Sequence, residues 1–269
     1  MPASLDQILA ATRRRVAETK RTADLHELEN RAASHIPRGF RNALKAASRS
    51  GPAIIAELKK ASPSRGLIRP DFKVTELAPE LEQAGAAALS VLTDEEFFGG
   101  SLENLRLASG GTALPCLRKD FMVDEFQLLE ARANCADAIL LIVAALSQAE
   151  LISLAKQARS LELDVLCEAH DREELERAID AGSDLIGVNN RDLRTFRVDI
   201  ETAVRLAEFM PNDVVRVAES GIHSGGDIAH LRSAHYHGFL IGESLMKAPR
   251  PGEALRTLLL EADHVVGAR

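Results

Sequence analysis

The feature that most constrains the fold is a series of eight short apolar runs, separated by longer amphipathic stretches, that begins after Pro52. The runs are AIIAELK, ALSVLT, LPCLRKD, AILLIVA, DVLCEA, LIGVNN, VVRVAES and GFLIG. Mostly continuous apolar sequence is typical of parallel strands that are covered on both faces. Strands that alternate with helices therefore predict a parallel sheet built from βαβ units.

Eight such units indicate that the sheet closes on itself. We predict an α/β fold, a (β/α)8 TIM barrel with an N-terminal helical extension, as a single domain over residues 1–269. An open doubly wound sheet has the same alternation, and periodicity alone leaves that alternative open. No Pro/Gly/Ser-rich linker divides the chain.

The extension is predicted to be helical over residues 1–46. Leu5 and Ile8 begin an apolar series at helical spacing, and Ser4 with Gln7 matches a capping box. This segment precedes the repeating part of the chain. We therefore expect it to pack against the barrel and not to contribute a strand.

Composition argues against several partners. The formal net charge is -7 and the chain has no Trp and one Tyr, so it has neither the basic surface nor the stacking side chains that nucleic-acid binding uses. No stretch stays apolar long enough to span a bilayer. We expect a small phosphorylated ligand, no nucleic acid and no membrane.

The three cysteines, Cys116, Cys135 and Cys167, have neither disulfide-framework nor metal-site spacing. We therefore expect a cytoplasmic protein without a metal site. The sequence leaves the oligomeric state open, and a monomer with at most weak association is the working expectation.

Almost every apolar run ends in polar residues. They are Glu57 with Lys59, Thr93, Lys119, Glu168, Asn189, Glu219 with Ser220, and Gly242 with Glu243. In a barrel these strand ends converge on the face where active sites form. The pattern therefore predicts an active site at this mouth.

Five of these groups are charged: Glu57, Lys59, Lys119, Glu168 and Glu219. Charges this close couple their titrations, which produces candidate general acids and bases. A salt-bridge ring that only closes the mouth would use the same residue types, because structural ion pairs also perturb pKa values.

The last two runs lead into glycine-bearing turns, AESGI and LIGES. Glycine lets backbone amides approach a phosphate closely, and phosphate sites follow the last two strands in many barrels. We expect a phosphate site at Gly221 and Gly242, although either turn alone would be read as an ordinary tight turn.

Two loops add candidate ligand contacts. The loop after the first strand contains Ser62 in SPSRG, a composition suited to a mobile segment that closes over substrate, although a solvated basic turn is the alternative. Phe97, Phe98 and Phe121 are candidates for an aromatic-ligand pocket, and packing onto the barrel rim is the alternative for them.

Seven motifs occur in order along nearly the whole chain: AELKKASPSRG, FFGGSLENL, LRKDF, the glutamate of LCEAHD, IGVNNRDL, VAESGI and FLIGESLM. As a set they resemble the indole-3-glycerol-phosphate synthase family. The helical leader is also similar to that family's N-terminal extension. Arg118 and Ala169 depart from the family's usual residues, and we expect them to affect rim packing only.

The resemblance implies conversion of 1-(2-carboxyphenylamino)-1-deoxyribulose 5-phosphate to indole-3-glycerol phosphate, with loss of carbon dioxide and water, in tryptophan biosynthesis. It implies no cofactor and no metal. By resemblance, Lys119 is the general acid, Glu168 handles the proton lost as the ring aromatises, and Lys59 holds the substrate carboxylate and shares the acid role.

The remaining motif positions take supporting roles by resemblance. Glu57, Asn189 and Glu219 would orient the lysines and substrate hydroxyls. The phosphate or its loop would be surrounded by Ser62, Ser220, Gly221, Gly242 and Glu243, with Arg191 nearby. For Glu243 only the backbone amide suits an anion.

Two other classes of function stay open. In a Schiff-base aldolase-type lyase, Lys119 or Lys59 would attack a carbonyl. A catalytically silent phosphate-binding barrel would bind the ligand without turnover. Which lysine donates the first proton is also open, because coupled groups share macroscopic pKa values.

Overall fold

A computed structural model describes residues 3–267, with side chains through residue 264. Eight parallel strands pair around a closed barrel, and the first strand pairs with the last through Ala53 opposite Gly238. The predicted (β/α)8 fold is confirmed. The open-sheet alternative is wrong, because that architecture would leave two unpaired edges.

The strands coincide with the eight apolar runs, and a two-strand hairpin follows the first. Their bounds are β1 Ala53–Leu58, β2 Ala61–Ser62, β3 Gly66–Leu67, β4 Ala88–Leu92, β5 Cys116–Lys119, β6 Ala138–Ile142, β7 Asp164–Ala169, β8 Leu185–Asn189, β9 Val215–Glu219 and β10 Gly238–Ile241. The hairpin β2–β3 is antiparallel and lies outside the barrel sheet.

Helices precede the barrel and alternate with its strands. Their bounds are α1 Leu5–Thr22, α2 Leu25–Ser34, α3 Phe40–Ala47, α4 Val74–Gln83, α5 Glu95–Phe98, α6 Leu102–Gly111, α7 Phe126–Ala133, α8 Gln148–Ser160, α9 Arg172–Asp180, α10 Glu201–Ala207, α11 Gly225–Ser233, α12 Glu243–Lys247 and α13 Pro251–Gly267.

The N-terminal extension consists of three helices and not of one continuous helix. The predicted capping box of Ser4 and Gln7 starts α1. Asp24 starts α2 by accepting the amide of Glu27, and Gly39, at φ 73°, precedes α3. Capping side chains and a left-handed glycine favour chain reversals, so they interrupt the helix. The start of the predicted extension, residues 1–2, lies outside the described residues.

Side chains of β1 alternate between two cores. Ile54 and Leu58 point outward and pack in the layer between the strands and the surrounding helices. Ile55 points into the barrel, where α3 closes the amino-terminal end with Phe40 and Leu44. The same alternation puts the next inward position of β1 at the opposite, carboxyl-terminal mouth.

Arg118 points outward from β5 and is buried. Its guanidinium lies 2.8 Å from the Glu130 carboxylate and 3.1 Å from that of Asp120, and its Nε donates to the Thr93 hydroxyl. Thr93 in turn donates to Asp120 at 2.7 Å. Arg118 and Thr93 therefore belong to a polar network behind the strands, and Thr93 is not part of the mouth.

Candidate active site

One cavity of about 330 Å³ opens at the carboxyl ends of the barrel strands. All the site residues predicted from the sequence line it: Glu57, Lys59, Ser62, Phe98, Lys119, Phe121, Glu168, Asn189, Arg191, Glu219, Ser220, Gly221, Gly242 and Glu243. The strand ends converge as a barrel requires. Their roles in chemistry stay predictions.

Lys119 occupies the centre of the charged groups. As the last residue of β5 it extends across the mouth, and its Nζ donates to Glu168 Oε2 at 2.7 Å and to Glu219 Oε2 at 3.1 Å. Both carboxylates are almost fully buried. Three groups from three strands therefore form one hydrogen-bonded cluster.

The charges in this cluster stabilise each other. Burial alone would lower the pKa of Lys119, but the carboxylates of Glu168, Glu219 and Glu57 raise it above its ordinary value. Burial alone would raise the pKa of Glu168, but Lys119 and His170 lower it below the usual range. In the free protein Lys119 is an ammonium and Glu168 a carboxylate.

Glu219 differs from Glu168. Burial, together with repulsion from Glu168, outweighs Lys119 and raises its pKa to about 8. Its Oε1 is buried and makes no hydrogen bond to the described residues. Glu219 therefore holds a proton more firmly than Glu168 does, although both carboxyl groups contact Lys119.

Glu57 and Lys59 form a second ion pair beside this cluster. Both lie at the end of β1, and Lys59 Nζ is 2.5 Å from Glu57 Oε2. Glu57 is buried, whereas the Lys59 side chain keeps about a fifth of its surface exposed. Lys59 is therefore a cation fixed at the cavity wall and accessible to an anionic ligand.

The two glycine-bearing turns need their glycines. Ser220 and Gly221 have φ 64° and 79°, and a Cβ on Gly221 would lie 2.5 Å from Val198 Cγ1. A Cβ on Gly242 would lie 2.3 Å from Glu57 Oε2. Left-handed backbone and close approach leave room for hydrogen only, so main chain lines the cavity here.

Three cationic side chains surround the Glu243 carboxylate. It lies 2.6 Å from Lys247, 3.1 Å from Arg65 and 3.7 Å from Arg191. Burial alone would raise its pKa, but Lys247 and Arg65 lower it. The side chain is thus neutralised by its neighbours, which fits the expectation that only the backbone amide of Glu243 would face an anion.

Two aromatic side chains lie next to each other at the cavity. The Phe98 and Phe121 rings are 6.2 Å apart between centroids, inclined at 41°, and both line the cavity. Phe97 does not line it. One wall of the cavity is therefore suited to the edge or face of an aromatic ring.

Four residues that contribute to the site were not predicted from the sequence. Leu5 and Ile8 of α1 form part of the cavity wall, and Arg65 reaches Glu243 from the hairpin loop. His170 contacts Glu168 from outside the cavity. Two sequence features could have indicated them: the apolar stripe of α1, and the position of His170 two residues after a strand-end glutamate.

Within residues 3–267, no three His, Cys, Asp or Glu side chains are arranged to hold a metal ion. In the same part of the chain, no helix combines the length and apolar character needed to cross a bilayer.

A closed eight-strand barrel with partly buried lysines and buried carboxylates at its carboxyl-terminal mouth defines this chain as a (β/α)8-barrel enzyme. The family model for indole-3-glycerol phosphate synthase matches residues 5–258. The chain belongs to that family.

Two curated relatives bear the same name. The protein from Koribacter versatilis is 60% identical over 259 residues, which are 96% of this chain and 100% of the relative. The protein from Acinetobacter baumannii (strain ATCC 17978) is 47% identical over 256 residues, 94% of each chain.

Solved structures with distant sequences share the fold. Thiamine phosphate pyrophosphorylase from Pyrococcus furiosus is 16% identical, with a TM-score of 0.60 over 82% of this chain and 100% of that one. KGPDC from Streptococcus mutans is 14% identical, with a TM-score of 0.61 over 80% and 99%. These similarities concern the barrel alone.

Proposed function

We propose that this chain converts 1-(2-carboxyphenylamino)-1-deoxyribulose 5-phosphate to indole-3-glycerol phosphate, releasing carbon dioxide and water. The observation that carries the proposal is the cluster of Lys119, Glu168 and Glu219 in a cavity that also holds a second lysine and two glycine-bearing turns. The family to which the chain belongs carries out this lyase reaction in tryptophan biosynthesis.

Lys119 is the general acid. Ring closure develops negative charge on the substrate carbonyl oxygen, and this oxygen must gain two protons before it leaves as water, one donated by Lys119 and one taken up from solvent. The Lys119 ammonium is buried, so it stabilises that charge strongly and can donate its proton there. Its raised pKa keeps the Lys119 side chain protonated before the substrate binds.

Glu168 is the base that takes the ring proton as the indole becomes aromatic. With Lys119 charged beside it, Glu168 is a weak base, because the ammonium stabilises its ionised form. Once Lys119 has given up its proton, that stabilisation is lost and Glu168 becomes a stronger acceptor. The 2.7 Å contact also lets the proton return to Lys119 after the reaction.

Lys59 binds the substrate carboxylate that leaves as carbon dioxide, and Glu57 orients Lys59. Phe98 and Phe121 contact the carboxyphenyl ring on one wall of the cavity. This arrangement separates the carboxylate from the reacting carbonyl near Lys119, so each anionic oxygen has its own cation.

The phosphate lies at the opposite wall. Backbone amides of the two glycine-bearing turns, Ser220–Gly221 and Gly242–Glu243, surround it, together with Ser62 and Arg191. Asn189 and Glu219, which line the cavity between these walls, bind the substrate hydroxyls.

A Schiff-base lyase is the second candidate, and the Lys119 pKa argues against it. An amine attacks a carbonyl only when unprotonated, and Lys119 is held as an ammonium by its carboxylates. Borohydride added during turnover should therefore leave the protein mass unchanged. A reduced adduct on Lys119 or Lys59 would favour the Schiff base instead.

The proposed function is tested by the fluorescence of the indole product, formed from the substrate in the presence of EDTA. We expect saturable turnover. Binding of the substrate without product would favour the silent phosphate-binding barrel.

We also propose that the chain acts in the cytoplasm as a monomer. All three cysteines are free, which suits a reducing compartment. Sedimentation at the assay concentration should give one species of about 29.2 kDa; a dimer would contradict the monomer.

A further inference from the structure

Glu168 has a second cationic neighbour. Its Oε2 accepts the hydrogen bond from Lys119, whereas its Oε1 lies 3.3 Å from Nε2 of His170. His170 follows Glu168 by two residues, as the chain leaves β7. The two oxygens of the carboxylate thus have different partners.

The other side of the imidazole is fixed to α9. His170 Nδ1 lies 2.9 Å from Glu174 Oε2, and the same oxygen accepts the His170 backbone amide at 2.8 Å. Asp171, the N-cap of α9, accepts the Glu174 amide at 2.9 Å. The first turn of α9 therefore holds the ring in place.

The geometry defines the protonation of this ring. Both ring nitrogens face carboxylate oxygens, and an ionised carboxylate has no proton to donate. The Nε2 contact is an ion pair without aligned hydrogen-bond geometry, so its attraction depends on charge. Both contacts are favourable only when the ring is an imidazolium.

The electrostatic surroundings agree with this assignment. Burial alone would lower the pKa of His170, but Glu168 from β7 and Glu174 from α9 raise it to about 10. These two are the titratable groups with which the described chain shows the ring in contact, and Lys119 lies beyond them on the far oxygen of Glu168. The side chain is 10% exposed and does not line the cavity.

We propose that His170 is a positioning residue for the proton transfer: as a buried cation it fixes Oε1 of Glu168 and leaves Oε2 to accept the substrate proton. This inference rests on the proposed function. When Lys119 gives its proton to the substrate, Glu168 would otherwise be a buried carboxylate without a counter-charge. His170 supplies that charge at the step where the base must stay ionised.

The charge can be tested without turnover. In protein labelled with ¹⁵N-histidine, the His170 resonances, assigned by their loss in His170→Gln, should report two protonated ring nitrogens from about pH 6 to about pH 8.5. Glu174→Gln should lower the titration midpoint by about one unit or more. A wild-type midpoint near the ordinary value of about 6.5 would overturn the inference.

The role is tested by kinetics. His170→Gln keeps an N–H donor but lacks the charge, so we expect kcat to fall by about tenfold while KM changes less than about twofold. The acidic limb of the kcat–pH profile should move up by about one unit, because Glu168 loses a cation. An unmoved profile would show that His170 has a structural role only.

His230→Gln is the matched control. His230 Nε2 lies 2.8 Å from Glu201 on the protein surface, away from the cavity, so its loss should leave kcat and the pH profile unchanged. If His170→Gln does not fold, Glu174→Gln should produce a smaller shift in the same direction. A wild-type protein without turnover would refute the proposed function, whereas the histidine titration would still decide the protonation of His170.

Discussion

At the scale of single residues, the charge of Lys119 and that of Glu168 depend on each other. Each is buried, and each would be costly as an isolated ion. Their contact offsets that cost, and it also links the donor and the acceptor of the proposed proton transfers. The pair therefore serves both stability and chemistry.

Removing the Lys119 ammonium should stop the reaction. We expect Lys119→Ala to lower kcat by about 10²- to 10⁴-fold, the contribution that is usual for a general acid. The matched control is Lys156→Ala, an exposed lysine of α8 outside the cavity, which should retain wild-type turnover. Steady-state product fluorescence measures both variants, and wild-type kcat in Lys119→Ala would contradict the assignment.

Glu219 should make the protein less stable at alkaline pH. Its folded-state pKa of about 8 is above the ordinary value of 4.5, so the folded state keeps a proton that the unfolded chain releases. The free energy of unfolding should therefore fall as pH rises from about 5 to about 8.

Urea titrations followed by circular dichroism at several pH values measure this dependence. Glu219→Gln mimics the protonated acid, so its stability should fall less over the same pH range. An identical slope in the wild type and the variant would show that Glu219 is ionised at neutral pH.

The sequence predicted which residues line the mouth, but not which of them contact each other. Lys119 and Glu168 are on β5 and β7, with β6 between them, so their contact crosses the barrel mouth. It depends on barrel geometry and side-chain length, which strand-end positions do not encode. His170 was missed because its role depends on the turn between β7 and α9.

At the scale of elements, α1 is fastened to the barrel rim by Arg15. Its guanidinium lies 3.2 Å from Asp94 and 3.3 Å from Asp120, both buried. Asp120 directly follows Lys119 and also accepts from Arg118. The Arg15 ion pairs therefore connect the N-terminal extension to the strand that carries the proposed general acid.

We expect Arg15→Ala to lower the free energy of unfolding by about 1–3 kcal/mol, because two buried carboxylates lose a charged partner. KM should rise, since Leu5 and Ile8 of the same helix line the cavity. Lys20→Ala is the control: Lys20, also on α1, makes an exposed ion pair with Asp124, and its loss should leave the urea midpoint unchanged. Equal losses in the free energy of unfolding for both variants would show that the Arg15 ion pairs do not hold α1 to the barrel.

The turn after β9 gives a second prediction for an element. Gly221→Ala places a Cβ at positive φ and against Val198, so we expect a loss of about 1–2 kcal/mol and a KM at least about tenfold higher. Gly226→Ala in α11 is the control, because its Cβ would have ordinary contacts. An unchanged KM in Gly221→Ala would place the phosphate elsewhere.

Helix periodicity predicted the extension, but not its division or its partners. Breaks at Asp24 and Gly39 depend on capping and backbone conformation, and the partners of Arg15 are 79 and 105 residues away along the chain. An apolar stripe shows that a helix face is covered. It does not show which part of the fold covers it.

At the scale of the whole molecule, the two ends of the barrel have separate tasks. The amino-terminal end is closed by Phe40 and Leu44, both fully buried, and the other end carries the cavity. Eight units in the sequence predicted the barrel, whereas closure itself is a property of strand tilt and register that periodicity cannot prove.

Leu44→Ala should therefore affect stability and not activity. We expect a loss of about 2–5 kcal/mol in the free energy of unfolding, with kcat and KM within about twofold of the wild type. Leu260→Ala, at a leucine of α13 that is 61% exposed, should cost less than about 0.5 kcal/mol. A strong loss of kcat in folded Leu44→Ala would contradict the assignment of stability to one end of the barrel and activity to the other.

The single-domain prediction for residues 1–269 belongs to this scale as well. If the extension and the barrel form one domain, urea unfolding should give one cooperative transition, with coincident curves from circular dichroism and sedimentation. An early transition confined to the helical signal would identify the extension as a separate unit.

The central claim is most directly tested by a single turnover with the protein in excess over 1-(2-carboxyphenylamino)-1-deoxyribulose 5-phosphate, with EDTA present. Because the chain has no Trp, indole fluorescence reports the product without a tryptophan background even at high protein concentration. We predict one indole-3-glycerol phosphate and one carbon dioxide for each substrate consumed. Substrate that stays bound and unconverted, or carbon dioxide released without indole, would contradict the account.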